Sequence, residues 1–356
     1  MTSSTRALKR FKSRARLRFY MRNDLPSGAR GVRIIGTGSA VPEGRLTNAD
    51  FARMMDTTDE WIKQRTGISE RRILDLRTQG CSTLARLALE RALEASGVKA
   101  EELDLIIVGT VTGEMTCPSV AARIAGEIGA KNAAAFDLGA ACCGFLYSLN
   151  IGESIVRAGR ARTVAVIGAD AMSSIIDYTD RSVSILFGDA AGCAILRSDD
   201  DPSVGCIYQH MGADGSGWHA LYIPRREADV PVEDSANPIR LGCLRMNGKE
   251  VFRFAVTKFK EVLEDAFAKT GLTPDDVSQV VCHQSNIRII DSAREKLNID
   301  PSKIFVNIDY YGNSSAGSVG LCLDQLSRAG KITPGKPFML VAFGGGLTWA
   351  SSVWKT

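Results

Sequence analysis

The sequence predicts an α/β fold built from two duplicated halves, and three observations carry that reading. The chain has 356 residues, 45 % of them apolar and 24 % charged, which suits a large layered core of globular composition. Glycine is frequent (34) and aromatic residues are few (7 %), as expected of many tight turns. Most telling, one helix–glycine–strand unit occurs twice, 174 residues apart (Gly97 to Gly271).

Taken in chain order, residues 1–30 hold nine Lys/Arg and one Asp, whereas the whole chain carries +4. The folded part is therefore mildly acidic and the basicity belongs to an extension. That extension lacks the apolar stretch of a secretory signal. It reads as a disordered basic arm or an over-long start with Met21 as the alternative. A transit peptide and a nucleic-acid or lipid contact are the competing readings. Val32-Arg33-Ile34-Ile35-Gly36-Thr37-Gly38 reads as the first strand and its turn. Thr57 with Glu60 three residues on fits a capping box, and Gly67 closes that short helix.

The first copy of the repeat runs Leu93–Val108 and the second Phe267–Cys282: a helix, a glycine stop, an acidic cap and a buried strand. At the same offset Phe136–Phe145 faces Tyr310–Val319, both read as strand, small residues, then helix. A third echo, Phe187–Gly192 against Phe343–Thr348, has an offset of 156 and implies a longer loop in the first copy. Two α/β units, each too small to cover its own sheet, are expected to stack on each other. The boundary is expected near Ser198-Asp199-Asp200-Asp201-Pro202-Ser203. This gives an extension at 1–30, a first half at 31–200 and a second at 201–356.

Several classes of protein are disfavoured. No apolar run is long enough for a bilayer span. Nine cysteines without a C-x-x-C, and only three histidines, fit neither a disulfide framework nor a zinc cage. They fit a reducing compartment with mostly inert thiols.

The chemistry concentrates at a few positions. Gly139-Ala140-Ala141-Cys142-Cys143-Gly144-Phe145 places a cysteine where a buried strand turns into a helix. Helix N–H groups there favour thiolate, and small neighbours leave room for a substrate. From these residues alone, nucleophile and inert packing are equally good readings of Cys142. Cys143 competes for the role, but adjacent helical residues point about 100° apart. His283 follows the strand Val280-Val281-Cys282, at a strand end where parallel sheets carry function. Asn313, in Tyr311-Gly312-Asn313-Ser314-Ser315, is the repeat mate of Gly139, which brings it towards the Cys142 turn. Phe343-Gly344-Gly345-Gly346 offers backbone N–H groups to an anion.

These residues resemble the β-ketoacyl-acyl-carrier-protein synthase III enzymes of the thiolase superfamily. Asp56–Ile62, Gly139–Phe145, Leu186–Gly192, His283–Asn286, Gly312–Ala316 and Phe343–Trp349 carry the likeness, which covers Val32 to Thr356. The resemblance implies a thiolase-like five-layered α-β-α-β-α fold and a homodimer. It implies Cys142, His283 and Asn313 as the catalytic set, with the N–H groups of Cys142 and Gly345 as oxyanion hole. Trp61, Arg65, Arg181, Phe252 and Asn286 would contact coenzyme A. Cys117, before Pro118, would reach the acyl pocket of the partner subunit. The reaction implied is decarboxylative condensation of an acyl-CoA primer with malonyl-acyl-carrier protein, starting fatty acid synthesis without metal or organic cofactor.

Lys249, Arg253 and Lys260 share one helix stripe. With Gln284 and Arg288 they are the candidate surface for an acidic acyl carrier protein, against the plain reading of a solvated basic face. A relative priming polyketide or quinolone synthesis, and a non-catalytic acyl-binding protein, are the alternatives. No nucleic-acid or membrane partner is expected. The expected location is the cytoplasm rather than a plastid.

Overall fold

The computed structural model describes residues 29–234 and 240–355, so almost all of the basic extension lies outside the described residues. The chain opens with β1 (Gly31–Ala40). An excursion follows: β2 (Arg45–Thr47), α1 (Asn48–Met54), α2 (Asp59–Thr66) and β3 (Glu70–Arg72). Then come α3 (Cys81–Ser96), β4 (Leu105–Gly109), α4 (Val120–Ile128), β5 (Ala134–Leu138) and α5 (Gly144–Arg157), followed by β6 (Thr163–Asp170), α6 (Arg181–Ser184) and β7 (Ala190–Asp199). After a turn the chain continues through β8 (Gly205–Ala213), β9 (Leu221–Tyr222), β10 (Arg245–Met246), α7 (Gly248–Thr270) and β11 (Val280–Cys282). It ends with α8 (Ile287–Lys296), α9 (Ile308–Tyr311), α10 (Gly317–Arg328), β12 (Pro337–Gly344) and β13 (Thr348–Lys355).

While β2-β3 and β9-β10 form two small two-stranded sheets of their own, the first half carries the sheet β1-β7-β6-β4-β5 and the second β8-β13-β12-β11. The two sheets share one plan. The first two pairings of each are antiparallel and the next is parallel. Where the first sheet has β5, the second has a single parallel bridge from Val280 to Ile304.

Apolar patterning builds the layers. Helices α3 and α4 cover the outer face of the first sheet. Helices α5 and α10 lie between the sheets, with Cys143, Phe145, Leu149, Val319 and Leu323 in that core. Helices α7 and α8 cover the outer face of the second sheet. The result is the expected α-β-α-β-α stack. Glycine allows the central helices to sit close: a Cβ at Gly192 would lie 2.2 Å from the Gly320 backbone.

Four details depart from the sequence reading. First, α2 is capped by Thr58, whose hydroxyl accepts from the Trp61 N–H at 3.1 Å. Two adjacent threonines leave the choice to backbone geometry. Second, β5 is an edge strand with Ala134 and Phe136 exposed, because among the described residues only β4 pairs with it. Third, Ile308–Tyr311 is a helical turn, so the strand matching β5 has shrunk to Ile304. Fourth, the Phe187–Phe343 echo is accidental. Phe343 lies in β12, the mate of β6, whereas Phe187 precedes β7. The inferred longer loop is real: 171–189 joins β6 to β7, and 345–347 joins β12 to β13.

Candidate active site

Cys142 lies in the helical turn Ala141–Cys143 ahead of α5. Ala141 adopts a positive φ of 46°, which swings the chain from β5 into the helix. His283 directly follows β11, and Asn313 follows the turn at Gly312. All three side chains line one cavity of about 90 Å³, roofed by Phe187, Phe252 and Phe343. They are 6 %, 1 % and 6 % exposed, respectively. Cys143 instead sits in the core between the sheets, so the neighbouring thiols have separate environments.

The polar groups are tightly held. His283 Nδ1 is 2.6 Å from Ser318 Oγ, and Phe343 meets the imidazole edge-on at 5.4 Å. Burial drives the His283 pKa down to about 3, so the ring is neutral at pH 7. Asn313 Oδ1 accepts from the Ser315 N–H at 2.9 Å. Its backbone is clamped by Leu186 O (2.8 Å) and Gly188 N (3.1 Å). That leaves Asn313 Nδ2 as a donor without a protein partner among the described residues. The Ser315 hydroxyl donates to Cys142 Sγ at 3.5 Å, and the N–H groups of Cys142 and Gly345 favour the ionised sulfur. Burial outweighs these donors and pushes the thiol up to about 12. The expected stabilisation of thiolate by the helix end does not prevail against this burial.

The remaining predicted residues fall into three groups. Phe252 and Asn286 line the cavity itself. Trp61, Arg65 and Arg181 form a cluster beside it, both guanidiniums lying over the indole at 5.7 and 5.0 Å. Asn286 joins the two, donating to Arg65 O at 3.0 Å while capping α8. Lys249 and Arg253 are exposed on the first turns of α7, and Arg288 packs over Phe252 at 5.3 Å. Lys260 is further along α7 and pairs with Glu264 at 3.1 Å. Gln284 is a correction. It is 1 % exposed, and its amide is bound to Cys282 O, Phe305 O and Asn307 N. It braces the loop behind His283 and cannot meet a carrier protein. Cys117 is exposed and does not line this cavity.

Two family models match, described as 3-oxoacyl-[acyl-carrier-protein] synthase III over residues 136–215 and its C-terminal part over residues 267–356. The β-ketoacyl-[acyl-carrier-protein] synthase III of Caldanaerobacter subterraneus is 45 % identical over 90 % of this chain and 97 % of its own. This chain belongs to the β-ketoacyl-[acyl-carrier-protein] synthase III family. The Clostridium acetobutylicum enzyme of that name is 43 % identical over 91 % of this chain and 98 % of its own. The Aquifex aeolicus synthase III structure superposes with a TM-score of 0.84 at 40 % identity, covering 92 % of this chain and all (100 %) of its own. A priming β-ketosynthase from a polyketide biosynthetic pathway gives 0.83 at 36 % identity, covering 92 % and 96 %. The fold is thus thiolase-like, and the family is one of acyltransferases.

Sequence reasoning missed Ser318, Ser315 and Asp170. The two serines were read only as members of a small-residue run. Asp170 had a visible signal: a carboxylate ending the otherwise apolar strand Thr163–Asp170, every residue of which is buried. Among the described residues no His/Cys/Asp/Glu cluster could hold a metal ion, and no helix is long and apolar enough to cross a membrane.

Proposed function

We propose that this synthase III acylates Cys142 from an acyl-CoA primer and condenses the acyl group with malonyl-acyl-carrier protein, initiating fatty acid synthesis. The observation that carries the reading is the convergence of Cys142, His283 and Asn313 on one cavity. The Cys142 sulfur attacks the thioester carbon, and the N–H groups of Cys142 and Gly345 hold the tetrahedral oxyanion. Coenzyme A departs, and the malonyl thioester enters. We take Ser318 Oγ as the donor to Nδ1, which places the single ring proton of neutral His283 on Nε2, free to donate. Nε2 and Asn313 Nδ2 then stabilise the enolate formed by loss of CO2, which attacks the acyl-cysteine. No metal or organic cofactor enters these steps.

Trp61, Arg65 and Arg181 offer a flat ring and two cations to the nucleotide end of coenzyme A, with Phe252 and Asn286 along the way inward. Lys249, Arg253 and Arg288 surround the mouth with positive charge suited to an acidic carrier protein. The unpaired edge strand β5, with Phe136 40 % and Met115 53 % exposed, supports a homodimer formed through that edge. Cys117 would then enter the partner's acyl pocket. All nine cysteines are free, in keeping with the cytoplasm.

The test is a burst of free coenzyme A thiol from acyl-CoA, with mass spectrometry of the peptide bearing Cys142. The burst should appear in the wild type and vanish in Cys142→Ser. An equal burst from both proteins would overturn the assignment. Charge reversal at Arg253 and Arg288 should raise KM for the malonyl carrier and spare the acyl-CoA burst.

A further inference from the structure

A sulfur nucleophile acts as the thiolate, yet the surroundings of Cys142 offer an anion little charge. The titratable groups facing it are Cys143 on its own turn, Asp170 at the end of β6 and His283 after β11. The charge of Asp170 opposes a thiolate, burial keeps the Cys143 thiol protonated, and His283 is neutral at pH 7. Among the described residues no Lys or Arg lines the cavity. Hydrogen-bond donors are what remains. Two are the N–H groups of Cys142 and Gly345, and the proposed reaction commits both to the thioester oxygen. The third is the Ser315 hydroxyl, 1 % exposed and 3.5 Å from Cys142 Sγ.

We propose that Ser315 is a further catalytic residue, its hydroxyl donating to Cys142 Sγ and stabilising the thiolate that attacks the acyl-CoA. The inference rests on Cys142 being the acylated nucleophile. A hydrogen bond to an ionised acceptor is about twice as strong as one between neutral groups. The Ser315 contact therefore strengthens as the sulfur gains charge and weakens once the sulfur is bound to the acyl carbon. It is the donor that stays on the sulfur while the two N–H groups serve the oxygen.

The turn that carries this hydroxyl is held from both sides. The Ser315 N–H donates to Asn313 Oδ1 at 2.9 Å, so the thiolate donor and the enolate donor share one turn. The next N–H, that of Ala316, donates to Asp170 Oδ2 at 3.1 Å. Asp170 is fully buried, and its Oδ1 accepts from Thr110 Oγ1 (3.0 Å), Thr112 Oγ1 (2.9 Å) and Val111 N (3.0 Å). A carboxylate rooted in the first half thus grips the residue beside Ser315. The duplicated architecture adds an independent argument. At the offset of 174 the mate of Ser315 is Ala141, and the two share one backbone state, φ 48° and 46°. That state is uncommon for residues with a side chain, and the first half fills it with a bare methyl group. The turn itself therefore needs no hydroxyl, and the one at Ser315 is buried against the sulfur.

The test is the pH profile of Cys142 alkylation by iodoacetamide, which needs no acyl substrate, with the modified peptide read by mass spectrometry. Ser315→Ala should move the profile up by about one pH unit and so slow alkylation about tenfold on its rising limb. Ser315→Gly, which relieves the positive φ, should lose as much, because the hydroxyl and not the backbone is what counts. The acyl-CoA burst should slow by a similar factor, and condensation by enzyme already acylated should fall by less. An unmoved profile in Ser315→Ala, or a profile restored in Ser315→Gly, would overturn the proposal. If Ser315→Ala fails to fold, Ser315→Gly decides alone. Failure of wild-type Cys142 to accept an acyl group would instead defeat the functional reading and leave the alkylation result standing.

Discussion

The two halves place the same turn at the same point, and chemistry appears on only one copy of each duplicated position. At the offset of 174, Cys142 faces Ala316, His283 faces Gly109 and Asn313 faces Gly139. Gly109 and Ala316 are buried packing residues, whereas Gly139 is exposed with open space where a Cβ would stand. A Cβ at Gly109 would come within 2.2 Å of Gly144, so that strand end is pressed against α5 where its mate carries an imidazole. Each turn is also held by the other half. The loop between β6 and β7 clamps Asn313 through Leu186 and Gly188. Gly344, at the end of β12, abuts the Cys142 turn so closely that a Cβ there would lie 2.8 Å from Cys142 N. Duplication supplied a frame, and divergence within it put nucleophile and donors on opposite sides of one cavity.

The largest effect should come from separating what the halves contribute. His283→Ala and Asn313→Ala remove donors from the second half only. Condensation should fall about 10²–10³-fold, the range for losing one oxyanion donor, while the acyl-CoA burst survives. Loss of the burst in Asn313→Ala would mean the two turns cannot be altered separately. Next comes the contact between the halves. Gly192→Ala drives a Cβ into the Gly320 backbone, with no flexible side chain to yield. Overpacking of this kind costs about 1–3 kcal/mol, read as a lower urea midpoint. Gly126→Ala, with open space around its Cβ, is the control for glycine replacement itself.

How much of this the sequence revealed follows from the kind of signal each feature leaves. The repeated helix–glycine–strand unit announced both halves, because glycine stops and apolar strands are local patterns. Cys142 and His283 were legible as residues placed at strand ends. Asn313 needed the repeat to be brought near them. Gln284 was misplaced because the adjacent Ser285, and Asn286 after it, line the cavity, and one residue of phase decides burial in a loop. Ser315, Ser318 and Asp170 act through contacts between segments far apart in the chain, and neither composition nor periodicity encodes those.

A smaller effect tests the asymmetry between His283 and Gly109 through protonation. The folded pKa of His283 is depressed to about 3 by burial, against an ordinary value of 6.5. Between these values the unfolded chain binds the proton and the folded chain does not. Stability therefore falls as pH drops below 6.5, by at most about 1.4 kcal/mol per pH unit for one group. His283→Gln should flatten the slope of unfolding free energy between pH 4 and 6 by close to one proton. An unchanged slope would mean that the imidazole is protonated in the folded protein.

The smallest effect concerns a segment present in one half only. Helix α2 belongs to the excursion after β1, carries Trp61 and Arg65, and rests on the start of α8. Thr58 caps it, whereas Thr57 Oγ1 is buried with no hydrogen-bond partner among the described residues. Thr58→Ala should cost about 1 kcal/mol, while Thr57→Val, which removes an unsatisfied hydroxyl, should be neutral or stabilising. Because α2 meets the cavity lining through Asn286 and through the apolar cluster that holds Leu186, and not through Cys142 itself, Thr58→Ala should raise KM for acyl-CoA and leave iodoacetamide alkylation of Cys142 unchanged. A matching fall in alkylation would show that this excursion is part of the frame holding the nucleophile, and the division of labour between the duplicated core and this excursion would have to be redrawn.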